Sequence, residues 1–201
     1  GVLLIVVIGG ALFFWRLRSK AAAPAKSRGQ HPRSEGAVGS PSVNAAGELM
    51  EAEASYPPGE EPVSTFKTTY MLGNDLYDES FSVDDLQGDF LGECGVGISE
   101  TIGVGDPKKV TAFEVWLFDK NDIKTVTNVV MSDHAYRDEA LKSRLAPKGE
   151  LVQARSGEIV RLETASLKVE ARIVDLQYGS GVLPPNSFFQ QLTFEISAWK
   201  K

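Results

Sequence analysis

The chain has 201 residues, with 21 Lys and Arg against 27 Asp and Glu for a formal charge of −6. That length accommodates one domain with accessory segments, not two ordinary domains plus a tether and an anchor. An acidic balance with no stripe of bases interleaved with aromatics argues against nucleic-acid binding. The single cysteine, Cys94, excludes an intrachain disulfide and leaves a Cys-based metal site short of ligands.

Gly1 to Trp15 reads GVLLIVVIGGALFFW, without one charged or hydrogen-bonding polar side chain, and Arg16, Leu17, Arg18, Ser19 and Lys20 follow at once. A run of about 20 such residues spans a bilayer core as a helix, because lipid forces the backbone to close its own hydrogen bonds. A transmembrane helix is therefore expected over residues 1–18, with Leu3, Leu4, Ile5, Val6, Val7, Ile8, Leu12, Phe13, Phe14 and Trp15 as the membrane anchor. The chain begins with Gly rather than Met, so further residues are expected upstream. Phe13, Phe14 and Trp15 stand where an aromatic belt meets the headgroups, and Arg16, Arg18 and Lys20 form a positive flank that belongs on the cytoplasmic side. Two rival readings fit less well. A buried core helix suits Gly9-Gly10 and the adjoining bases poorly, and a signal peptide carries its bases before the apolar run, not after it.

Residues 19–62 turn to Ala, Pro, Gly, Ser and Glu, a composition that buries too little apolar surface to offset its ordering entropy. A disordered linker is expected. Charge is segregated along it: residues 1–33 carry six bases and no acid, and residues 34–62 carry six acids and no base. The net charge of the whole chain thus falls on residues 63–201, with 15 bases against 21 acids.

Residues 63–201 are dense in β-branched and aromatic residues, in runs separated by Gly, Asp, Asn and Pro. Strands are predicted at Thr65–Leu72, Glu79–Val83, Phe90–Ile102, Val110–Asp119, Ile123–Met131, Glu150–Ala154, Glu158–Thr164, Leu167–Tyr178 and Phe188–Trp199. The last alternates cleanly, with Leu192, Phe194, Ile196 and Ala198 on one face. Leu167, Val169, Ala171 and Ile173 alternate likewise, and then the apolar phase moves to Val174, Leu176 and Tyr178, which reads as a bulge. One helix is predicted over Ser132–Ala146, stopped by Pro147 and Gly149. The expected fold class is mainly β, a sandwich or partly open barrel with one packed helix.

Motifs that carry chemistry are weak. The segment from Cys94 to Asp106 is Gly-rich, but neither phosphate-binding fingerprint fits, since Glu100 stands three residues after Gly97 and no Gly-Lys-Ser/Thr follows. Its Gly-Val-Gly units mark bends or close strand contacts. Asp119-Lys120-Asn121-Asp122 starts like a calcium loop, yet Lys124 and Val130 occupy the positions that need Gly and Glu, so it reads as a hairpin turn. His134 is the domain's sole imidazole, and Cys94 lacks a neighbouring base to activate its thiol. Six acids between Asp75 and Asp89 are expected to face solvent, with paired-carboxylate hydrolysis or a weak cation site as rivals. No catalytic, cofactor or metal residue is assigned, and no enzymatic activity is expected.

Partner contacts are the remaining signal. Trp116 and Phe118 in one strand, and Pro184, Pro185 and Phe188 in a rigid loop, are the expected partner surface. The expected function is a single-pass membrane protein presenting a cytoplasmic β-rich interaction domain, as a scaffold or accessory subunit with a protein partner. Alternatives are an extracytoplasmic, membrane-tethered ligand-binding domain and an anchored hydrolase. The first needs the opposite topology and the second a pocket where carboxylates or His134 converge.

Overall fold

A computed structural model describes residues 61–201 of the chain. Among the described residues nine strands form: β1 Ser64–Met71, β2 Asp78–Asp84, β3 Phe90–Thr101, β4 Val110–Asp119, β5 Lys124–Met131, β6 Glu150–Gln153, β7 Ile159–Glu163, β8 Leu167–Tyr178 and β9 Phe189–Lys200. They make two open sheets, one ordered β1-β9-β8-β7 and the other β2-β3-β4-β5-β6, and neither closes into a barrel. All pairings are antiparallel except β5 with β6.

One apolar core lies between the sheets, and the alternation along each strand supplies it. Phe194, Ile196 and Ala198 of β9 and Val169, Ala171 and Ile173 of β8 meet Val96 of β3 and Phe113, Val115 and Leu117 of β4, all buried. Each fully buried large apolar side chain contributes about 1.5–3 kcal/mol. The predicted bulge in β8 is present: its register against β9 shifts between Ile173 and Asp175, which carries Leu176 and Tyr178 back toward the core.

The single predicted helix is two. α1 spans Asp133–Arg137 and α2 spans Glu139–Leu145, with a 3-10 turn at Ala146–Lys148. The break falls at Asp138, whose extended backbone (φ −88°, ψ 109°) ends α1 while its Oδ1 accepts from the amides of Ala140 and Leu141 to cap α2. Both helices lie in the crossover that a parallel β5–β6 pair requires. Ala135 and Leu145, with the partly buried Tyr136 and Leu141, form a second small core with Ala112, Val129 and Met131 on the outward face of the five-stranded sheet. Ile123, expected to open β5, instead sits in the preceding turn at φ 47°.

The two open sides of the sheet pair differ. Between β1 and β2 the seam is closed by Phe66 stacked on Phe81 at 4.8 Å and by a 2.8 Å hydrogen bond between the hydroxyls of Thr68 and Tyr77. Between β6 and β7 the side chain of Asn128 bridges it. Asn128 donates from Nδ2 to the carbonyl of Arg161 on β7 (3.1 Å) and accepts at Oδ1 from the amide of Glu150 on β6 (3.2 Å).

Among the described residues no helix is long and apolar enough to cross a membrane. The predicted anchor between Leu3 and Trp15, the flank Arg16, Arg18 and Lys20, and the linker up to residue 60 lie outside the described residues.

Candidate functional site

Three loops meet at one end of the sheets: 72–77 after β1, 102–109 after β3 and 179–188 after β8. Asp75 accepts from the amide of Lys108 at 3.0 and 3.3 Å, which ties the first loop to the second. Leu183 packs over Gly103, whose φ of +74° needs glycine, and Lys109 Nζ stands 5.8 Å over the ring of Phe188. The third loop is tied in turn to the start of α1. The amide of His134 donates to Asn186 O at 3.2 Å, and Ser132 Oγ donates to Ser187 O at 3.3 Å.

This braced end carries apolar tips in water. Leu76 is 88 % exposed, Val104 98 % and Val182 fully exposed, and Pro184 and Pro185 are exposed beside them. Leu86 and Ile123 are exposed at the opposite end, on turns of two separate hairpins.

The predicted partner surface is divided. Pro184 and Pro185 belong to the braced end. Phe188 does not offer a surface: it is 2 % exposed, because Gly179, across the narrow neck of its loop, leaves room for the ring to fold inward. Trp116 and Phe118 are half-buried on the outward face of β4, at the far end of that strand from the 102–109 loop. The indole of Trp116 lies over Gly95, where an added Cβ would come within 2.6 Å of the ring. The five residues therefore do not make one aromatic patch.

The other singled-out residues serve structural ends. Cys94 is buried, and burial, with the Glu93 charge second, pushes its thiol up to about 12. Asp85 caps the β2–β3 turn through the amides of Gln87 and Asp89 and pairs with Lys200 at 3.5 Å; the amide bonds and the lysine hold its carboxyl below the ordinary range despite some desolvation. Among the described residues no three His, Cys, Asp or Glu side chains converge as a metal site would require. No protein-family model, curated protein or solved structure matches this chain.

Sequence reasoning missed two residues. Asp119, expected only as the end of a strand and the start of a turn, is fully buried, and its carboxylate accepts from Thr164 Oγ1 (2.6 Å), the Ser166 amide (3.0 Å) and hydroxyl, and the Asn121 amide (2.8 Å). Burial opposes its charge, but those donors outweigh burial and hold the carboxyl well below the usual carboxylate range. Asn128 was not singled out at all. In both cases the signal was strand parity: Asp119 follows Phe113, Val115 and Leu117 on the inward face of β4, and Asn128 stands between Val126 and Val130 on the inward face of β5.

A pocket lies in the open seam, a cleft of about 460 Å³ lined by β6, β7, Asn128, Tyr136 and Arg155. His134 does not line it, and neither do the acids between Asp75 and Asp89.

Proposed function

We propose that the chain is a single-pass membrane protein whose β-rich domain, preceded by an acidic linker, binds a protein partner on the cytoplasmic side, as a scaffold or accessory subunit. The domain part of this reading rests on the braced loop end. Apolar residues at loop tips cost solubility and contribute nothing to the core, so a rigid set of them around a Pro-Pro turn is what an interface anchor requires. The Asp75–Lys108 bonds fix two of the loops to each other and the Ser132–Ser187 bond fixes the third to the start of α1, so this end would also bind without a large ordering cost. The membrane part rests on the apolar run before Arg16 and the bases after it. Two open sheets over a shared core fit a sandwich better than a partly open barrel.

A photo-crosslinking amino acid placed at Val182 in the full chain in cells tests the domain part. The expected result is one discrete crosslinked product, lost in the variant Leu76→Ser/Val104→Ser with the melting temperature unchanged within about 2 °C. Equal crosslinking from Val182 and from Lys124 at the opposite end would refute an interface at the loops.

A further inference from the structure

We infer that the seam between β6 and β7 is a second binding site, distinct from the loop end, and that it takes an extended peptide segment of another protein, added as a strand along the free edge of β6.

Both walls are sheet edges. β6 ends the five-stranded sheet and β7 ends the four-stranded sheet, and each has a neighbour on one side only. Strand parity says which backbone groups face the cleft, because a residue in a strand directs its N–H and C=O to the same side. The amide of Ala154 bonds to Met131 O on β5, so Val152 faces β5 as well, and Leu151 and Gln153 turn their amides and carbonyls the other way. On β7 the Arg161 carbonyl points into the cleft and is already taken by Asn128 Nδ2. β6 is therefore the edge that offers donors and acceptors, those of Leu151 and Gln153, and β7 is the facing wall.

On its outward side β6 pairs with no strand among the described residues; its shortness, four residues, and the charges beside it limit what the edge attracts, and what would close it outright is a covering element. The opposite seam shows how this fold does so, with Phe66 and Phe81 stacked across it. Here Asn128 bridges the seam and a cleft of about 460 Å³ lies beside the edge. The Gln153 side chain is held aside by Asp133 and Arg155, so it does not fold back over its own backbone. Arg155, Arg161, Glu150 and Glu158 give the cleft both signs of charge. That mixture suits a polypeptide with mixed side chains and disfavours a nucleic acid or an anionic lipid surface. In strand addition the backbone supplies affinity and alternate side chains supply selectivity.

The test uses the full chain and a display library of random eight-residue peptides. Binders are expected whose presence slows amide exchange at Leu151 and Gln153. N-methylation of alternate residues in one parity of such a peptide should weaken it at least tenfold, and methylation in the other parity should leave it within about twofold. Binding should persist in Leu76→Ser/Val104→Ser, which separates this site from the loop end. Four results would overturn the inference: no peptide selected, peptides insensitive to N-methylation in either parity, exchange protection confined to β1, β2 or the loops, or self-association of the chain through this edge in place of peptide binding.

Discussion

Asp119 carries a charge into the protein interior at the point where the two sheets are joined by their turns. Its partners Thr164 and Ser166 belong to the β7–β8 turn of the other sheet, so one carboxylate fastens two hairpins 45 and 47 residues apart in sequence. Asp119→Asn keeps the shape but presents an amide donor to backbone donors that cannot turn away. It should cost on the order of 2–3 kcal/mol, read as a lowered denaturant midpoint with unchanged slope. The pH dependence has a defined sign. The folded carboxyl is held below its unfolded value of about 3.9, so its contribution is complete above that value and is lost as pH falls toward the folded one. The gap between wild type and Asp119→Asn should therefore be constant near neutrality and shrink below about pH 4. Ile123 makes the converse case: a β-branched residue at φ 47° is strained, and Ile123→Gly should raise stability by roughly 1 kcal/mol in the same measurement. Strand parity is the one sequence signal that marks Asp119 and Asn128 as inward polar positions, and the sequence reading did not use it there. What satisfies them comes from strands dozens of residues away, and no local pattern specifies that.

All nine strands were legible because each is a run of alternating or β-branched residues between Gly, Pro, Asp or Asn, and the β8 bulge was legible because the alternation itself slips. Strand order was not. The parallel placement of β6 beside β5 depends on the helices crossing the outward face, and short-range periodicity carries no signal of that. The division of the helix was missed because Asp138 lies inside a stretch of good helix formers. Its capping role appears only when its carboxylate is seen to accept from Ala140 and Leu141. Asp138→Ala should cost about 1 kcal/mol and loosen the crossover, seen as faster amide exchange at Ala140 and Leu141 with little change in β8 and β9. Cys94 reports on the sheet that surrounds it. With its thiol buried and its pKa pushed up to about 12, it should react with maleimide only as fast as the native state opens globally. It is therefore a probe of unfolding and a poor probe of membrane sidedness, for which a cysteine introduced into the linker is needed.

At the scale of the whole chain, the apolar run and its bases decide whether this is a membrane protein, and the domain decides what it meets there. The candidate surface was half legible: Pro184 and Pro185 were identified from sequence, while Leu76, Val104 and Val182 were not, because single apolar residues in loops carry no periodicity. Phe188 was misjudged because its burial depends on the space that Gly179 leaves. Residence in the membrane with the domain on the cytoplasmic side is the central proposal. The most direct measurement is fractionation of cells expressing the full chain, followed by protease added outside intact cells and, separately, to opened ones. The chain is predicted to sediment with membranes, to resist alkaline extraction, to dissolve only in detergent, and to lose residues 63–201 to protease only after the cells are opened. Recovery in the detergent-free supernatant, or digestion of those residues on intact cells, would contradict it.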